Sequence, residues 1–354
     1  MTDHIIDPET IEFGLDTFLP VTRDAAGNEV AGDQVVRNTV EEAVLADQVG
    51  VDSFNVAEHY REGMMDSAGV VVLAGIAGRT RRIRLGTAVT VLSTQDPVRL
   101  FTEFSTLDAI SDGRAQIALG RGSLTDSFPL FGYDLADYEK LFDEKLDLFT
   151  KLLREQPVTW SGTVRSPLTG QRLMPPLPAG HLPTWVAVGG SKESVVRAAR
   201  FGHPLILAII AGDMARFRPY VDLYHRALKE FGRSRLPVGV HSHGYIAPTD
   251  QEARDIQLPH LIETWNNDGR LGTRDRAFFE KEITHGAQFI GSPETVASKI
   301  ADKIRLLGLE RFDLACATGP MQHEQKMATI ELYGREVIPL VRDLLRDEPA
   351  VVPA

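Results

Sequence analysis

The sequence predicts an α/β fold: a (β/α)8 barrel with insertions in the loops at the C-terminal face of its sheet. Three observations carry this. Eight apolar runs rich in β-branched residues alternate with longer segments of helical period, the pattern of repeated βα units and parallel strands. Eight such pairs exceed the roughly five or six strands of a common open sheet and match a closed barrel. With 354 residues, 43% of them apolar, the chain can bury the core of one domain spanning residues 1–354.

In chain order the strand runs are Ile11–Leu19, Asp52–Ala57, Arg82–Leu92, Ala115–Leu119, Thr184–Gly189, Pro204–Ile210, Pro237–Ala247 and Arg311–Ala317. From Pro97 to Ile110, the residues Leu100, Phe101, Phe104, Leu107 and Ile110 recur at steps of three and four. That spacing gives a helix with one apolar stripe, Pro97 in its first turn and Ser111-Asp112-Gly113 as its stop. Tyr138–Leu153 repeats the pattern through Leu141, Phe142, Leu148, Phe149 and Leu152. Ser292 before Pro293 reads as an N-cap, and Thr249–Glu252 as a capping box. Two stretches break the rhythm: proline-rich 155–182, expected as a surface excursion, and charged 266–290, expected as a lid over the strand ends.

Charge and cysteine content narrow the function. A net charge of −11 and an isoelectric point near 5.4 exclude a basic face for nucleic acid or anionic membrane. A small-molecule substrate is expected instead. No apolar run approaches a membrane span, and the acidic opening has no signal-peptide pattern, so a cytoplasmic protein is expected. The one cysteine, Cys316, forms no internal disulfide and reads as a small buried hydrophobe ahead of a reactive thiol.

A barrel builds its site at the C-terminal strand ends. After the second run come Glu58, His59 and Tyr60; after the fourth, Arg121 between two glycines; after the fifth, Gly189, Gly190, Ser191 and Ser194 running into a helix start. Glycines there let a backbone approach a ligand, and free N–H groups, hydroxyls and Arg121 suit a phosphate. The competing reading, equally weighted, is a plain helix cap with Arg121 paired to a carboxylate. His59 is either an acid/base with Glu58 setting its tautomer or a structural histidine. His241 and His243 share a strand face and could hold a metal only with further ligands. No metal motif, dinucleotide fingerprint or phosphate-binding loop is present, so no metal is expected.

The stretch "LGTAVTVLSTQDPVRLFTEFSTLDAISDGRAQIALGRGSLTDSFPLFGYD", the upstream "AEHY", and the later "PTWVAVGGSKESVVRAARFGHPLILAI" and "FIGSPETVASKI" resemble, in order, the bacterial luciferase-like flavin monooxygenase family. The resemblance spans about residues 11 to 340. It implies a TIM barrel holding reduced FMN, its phosphate at Arg121, Ser191 and Ser194, and a cis peptide at Ala88–Val89 beneath the flavin ring beside Gly120. It implies His59 as an acid/base, and oxygenation of a small organic substrate through a flavin 4a-hydroperoxide. Phe18, Glu58, Tyr60, Phe128 and His241 would line or serve the pocket. A separate NAD(P)H-dependent flavin reductase would supply the reduced flavin. Deazaflavin-dependent hydride transfer and non-catalytic flavin binding are the alternatives.

The chain also departs from the light-emitting members of that family. Gly120 stands where they have a reactive cysteine, Asp96 and Tyr60 where they have histidines. Light emission and a long-chain aldehyde substrate are therefore not expected. By the same analogy the small apolar segment Ser67–Thr80 suggests a homodimer, although a helix buried within one barrel would have the same composition.

Overall fold

The computed structural model describes residues 4–177, 181–268, 272–316 and 318–352. Each expected run contains a strand of one parallel sheet. These are β1 Glu12–Thr17, β2 Ser53–Val56, β3 Arg84–Thr87 resuming at Thr90–Val91, β4 Ile117–Gly120, β5 Thr184–Val188, β6 Leu205–Ala208, β7 Val238–Ile246 and β8 Arg311–Cys316. Around the barrel the order is β3-β2-β1-β8-β7-β6-β5-β4. The circle closes where Thr90 pairs with Leu119 and Leu85 bridges Ala115, giving the expected TIM barrel. Ala317, at the end of the last run, lies outside the described residues.

The local chemistry sets the helix ends as expected. Asp96 accepts from the Val98 and Arg99 N–H groups and starts Pro97–Ser111, which stops where Asp112 and Gly113 take φ of 59° and 80°. Ser292 caps Pro293–Leu307 by accepting from Thr295 N–H, and Thr249 Oγ1 accepts from Glu252 N–H at 3.2 Å. The stripe of Pro97–Ser111 is buried through Leu107, whereas Ile110 is 55% exposed. At 3.6 residues per turn Ile110 lies about 80° around the helix from Leu100, at the edge of the stripe.

The two irregular stretches have structure of their own. Val158–Trp160 pairs antiparallel with Leu168–Gln171, and Trp160 Nε1 donates to Asp147 of the Tyr138–Arg154 helix at 2.7 Å. Residues 266–268 finish the helix Asp250–Asp268, residues 269–271 lie outside the described residues, and Arg276–His285 forms another helix. Phe278 and Phe279 of that helix pack on Trp265, with ring centroids 6.0 and 5.4 Å apart. Short strand Phe289–Gly291 then pairs with the end of β7.

The barrel interior is divided by polarity. Ala118, Trp185 and Ile206 make an apolar cluster with Val89 and Ala187 against it. Against the Trp185 ring, 5.0 Å from its centroid, sits Arg311, which donates to Asp313 at 2.8 Å and to Gln116 at 3.0 Å and pairs with Glu12 at 3.1 Å. Arg311 and Asp313 are each 1% exposed. Such buried charges persist only because every partner is satisfied. Burial, partly offset by Arg311, raises the Asp313 carboxyl above the ordinary carboxylate range.

Candidate functional site

The loops after β2, β3 and β4 meet. Glu58, almost wholly buried, accepts from Tyr60 Oη at 2.7 Å, Gln95 Nε2 at 2.6 Å and Val91 N–H at 2.8 Å. Phe131, in the loop after β4, sets its ring edge-on to Tyr60 at 4.8 Å. Glu58 thus ties the second segment of β3 to the loop after β2, and its burial raises the carboxyl above the ordinary range.

The carboxylate beside His59 is Asp66, not Glu58. Asp66 Oδ2 accepts from His59 Nδ1 at 2.7 Å and Oδ1 from His59 N–H at 3.1 Å. Ser67 Oγ adds a bond to His59 carbonyl oxygen at 2.8 Å. The Asp66 side chain is buried while His59 keeps 18% of its own exposed. This arrangement puts the proton on Nδ1 and leaves Nε2 free to exchange one. An aspartate seven residues downstream carries no periodic or motif signal, which is why sequence reasoning assigned the role to Glu58.

Phe18, at the end of β1, gathers three imidazoles: His59, His241 and His243 have ring centroids 5.5, 5.8 and 5.9 Å from it. His241 Nδ1 bonds Asp16 Oδ2 at 2.5 Å, and Asn55 Nδ2 donates to Asp16 Oδ1 at 2.7 Å. Burial works to lower His241, but the hydrogen bond and charge of Asp16 leave it above the ordinary histidine value. His243, bonded to Thr318 Oγ1 at 2.7 Å, is pushed down to about 3 by burial and by His241. The two neighbours are therefore shifted in opposite directions. Their Nδ1 atoms are both engaged, and among the described residues no three His, Cys, Asp or Glu side chains cluster as a metal site.

A cavity of about 300 Å³ opens at these strand ends, lined by Asp16, Phe18, Cys316 and Thr318 below and by Glu263, Thr264 and Asn267 of the Asp250–Asp268 helix above. Tyr60, Phe128 and His241 do not line it. Phe128 is fully buried and stacks on Tyr138 at 5.5 Å. Leu130 and Phe131 emerge from that loop, 63% and 46% exposed. Two larger surface clefts, about 660 and 530 Å³, lie against the Tyr138–Arg154 helix and at the opposite end of the barrel around Glu12, Asp52 and Arg84. Volume alone does not locate this site; the strand ends do.

The cradle after β4 and β5 combines four side chains. Ser191 Oγ accepts from Ser194 N–H as the N-cap of Lys192–Phe201, while Gly190 has φ of 126° and a side chain on Gly189 would meet open space. Arg121 pairs with Glu139. Arg197, which sequence reasoning did not single out, donates through Nη1 to Ser194 Oγ at 3.2 Å and through Nη2 to Glu139 Oε2 at 2.6 Å. Two guanidiniums thus share the Glu139 carboxylate, while Arg197 also binds Asp143 and Ser194, and Ser191 Oγ donates to Glu193 at 2.8 Å.

The peptide Ala88–Val89 is cis, and Val89 explains Gly120. A Cβ at Gly120 would lie 2.4 Å from Val89 Cγ2, so a cysteine there requires Val89 to move.

A parallel eight-strand barrel with the His59–Asp66 pair and the Arg121–Arg197–Ser194 group at the C-terminal ends of its strands defines the α/β-barrel class. The chain matches the luciferase-like monooxygenase family over residues 14–327 and belongs to it. It is 30% identical over 267 residues to N-acetyl-S-alkylcysteine monooxygenase of Bacillus subtilis, covering 70% of this chain and 74% of the relative. It is 27% identical over 346 residues to protein y4vJ of Sinorhizobium fredii, covering 90% and 95%. Among solved structures, monooxygenase RslO1 of Streptomyces bottropensis superposes with a TM-score of 0.77 at 26% identity, covering 93% and 99% of the two chains. The FMN-bound oxygenating constituent of 3,6-diketocamphane monooxygenase from Pseudomonas putida gives 0.75 at 20%, covering 93% and 98%. The fold is shared by an F420-dependent secondary alcohol dehydrogenase, 0.72 at 18%, covering 94% and 99%.

Proposed function

We propose that this protein is a flavin-dependent monooxygenase that uses reduced FMN and molecular oxygen to oxygenate a small organic substrate. The observation that carries the reading is the His59–Asp66 couple, set at the same barrel end as the Arg121–Arg197–Ser194 cradle. The cradle fits a phosphate monoester: Arg121 and Arg197 converge on one carboxylate group, Ser194 lies beside them, and a Cβ at Gly189 would meet nothing within 4 Å. Arg121, Arg197, Ser191 and Ser194 would hold the phosphate, with Ala88, Val89 and Gly120 against the ring. Bound reduced FMN supplies the electrons that activate oxygen, one atom entering the substrate and the other leaving as water.

The protein's own tasks follow from its residues. His59 Nε2 exchanges the proton, with Asp66 fixing the tautomer. Glu58 is a positioning group, since it binds Val91 N–H and Tyr60 rather than an open face. Phe18 bounds the substrate side, with His241 behind it. The Asp250–Asp268 helix and the helix Arg276–His285 packed on it form the lid that excludes water. Arg23 reaches Glu263 of that helix through two bonds, at 2.8 and 3.2 Å, and Arg61 reaches Asp268 at 3.4 Å.

In this reading reduced flavin comes from a separate NAD(P)H-dependent reductase. A cytoplasmic homodimer is also part of the proposal. Among the described residues no helix is long and apolar enough to cross a membrane, and Val71, 72% exposed on helix Gly69–Ala77, supports a second copy there.

The test is anaerobic loading with reduced FMN, then mixing with oxygenated buffer while flavin absorbance is followed. Reoxidation slower than that of free flavin, and faster again in His59→Ala, supports the proposal. Reoxidation at the free-flavin rate in both, or tight binding of a deazaflavin with no oxygen uptake, overturns it.

A further inference from the structure

We propose that Glu139 is a built-in competitor for the ligand's phosphate: its carboxylate occupies the phosphate position, and FMN binds by displacing it. This rests on the phosphate reading of the cradle. Glu139 is the second residue of helix Tyr138–Arg154 and extends both oxygens into the cradle, Oε1 to Arg121 Nη1 and Oε2 to Arg197 Nη2.

The two arginines are held independently of it. Arg197, with only 9% of its side chain exposed, keeps Asp143 on Nε and Ser194 Oγ on Nη1. Arg121 lies over the Tyr138 ring, 5.2 Å from its centroid. The Glu139 side chain, by contrast, is 57% exposed, so a change of rotamer delivers it to water. Around the cradle Arg121, Arg197 and Arg200 are cationic and Glu139, Asp143 and Glu193 anionic: Arg200 shares Asp143 at 3.6 Å, and Glu193 accepts from Ser191 Oγ at 2.8 Å. When Glu139 leaves, Arg121 Nη1 and Arg197 Nη2 lose their shared acceptor and point at the vacated position, two cationic donors from different elements that suit a phosphate. Ligand entry therefore exchanges one anion for another, which weakens the equilibrium and shortens the residence of bound flavin. That suits an enzyme that takes reduced flavin from a diffusing pool and returns it oxidised.

The experiment is an equilibrium titration of wild type and Glu139→Gln with oxidised FMN and with riboflavin, read by flavin fluorescence. Two partly exposed ion pairs are at stake, so FMN should bind about three- to tenfold more tightly in the variant, with riboflavin unchanged. Glu139→Ala should behave alike, and inorganic phosphate should raise the melting temperature of both variants more than that of wild type. If wild type prefers FMN to riboflavin but the variants bind FMN no more tightly, Glu139 is not a competitor and the cradle stands. If neither wild type nor the variants distinguish FMN from riboflavin, the phosphate reading of the cradle falls and this inference with it.

Discussion

Asp66 grips His59 at two points, the ring Nδ1 at 2.7 Å and the main-chain N–H at 3.1 Å, so both the tautomer and the seat of the imidazole depend on one buried carboxylate. Asp66→Asn keeps a polar group of the same size but no longer demands a proton on Nδ1. Oxygenation should fall by about 10²-fold or more, within the range set by losing acid–base catalysis altogether in His59→Ala. FMN affinity should be unchanged in both. Single-turnover product yield beside a flavin titration checks this, and a variant that lost flavin binding in parallel would point to collapse of the loop.

The pair Gly120 and Val89 gives a stability prediction. Gly120→Ala inserts a methyl 2.4 Å from Val89 Cγ2, an overpacking expected to cost about 1–3 kcal/mol. Gly120→Ala with Val89→Ala should recover part of it, because the clashing methyl is gone. Urea denaturation of the two variants and wild type measures the coupling, and purely additive losses would show that the clash is relieved elsewhere.

His241 and His243 make opposite contributions to the pH dependence of stability. His241 has its value raised in the folded state by Asp16, so its stabilisation is present below about pH 6.5 and is lost as pH rises through the folded value. His243, held down to about 3 by burial, favours the fold above about pH 6.5 and loses that contribution as pH falls toward 3. His243→Gln should therefore flatten the acid limb of the stability curve between those values, by up to about 1.4 kcal/mol per pH unit. His241→Gln should weaken the fold most on the acid side and least above neutrality. Denaturant unfolding across pH 4 to 8 on the order of half-unit steps would separate the two.

The barrel was readable because its strands and helices obey their two periods. β7 is buried at all nine positions, and the expected run Pro237–Ala247 exceeds it by one residue at each end. The residues proposed to hold the phosphate stood out as glycines and hydroxyls at a helix start. Asp66, Arg197 and Glu139 did not, because each reaches its partner across chain separations or helix faces that carry no period: 7, 58 and 18 residues for the contacts that matter. Asp16 was closer to legible, since Glu12, Gly14 and Asp16 alternate on one side of β1 and mark a polar interior face. Phe128 was assigned to the pocket by its place in the loop, yet the turn Ser127–Leu130 sends it into the core and leaves Phe131 outside.

The bridge from Arg23 to Glu263 ties the loop after β1 to the helix that roofs the cavity. Its side chains are 38% and 37% exposed, so the pair is worth roughly 0–1 kcal/mol and hardly moves global stability. Local opening answers to the same energy. If the roof opens and closes as a two-state lid, removing up to about 1 kcal/mol raises the open population by up to about fivefold. Glu263→Gln should then leave the melting temperature within about 1–2 °C of wild type while raising the hydrogen peroxide released per reduced FMN consumed. The paired measurement is product and peroxide yield in one single-turnover mixture. Unchanged peroxide with faster amide exchange in residues 255–268 would mean that the helix moves but does not guard the reaction.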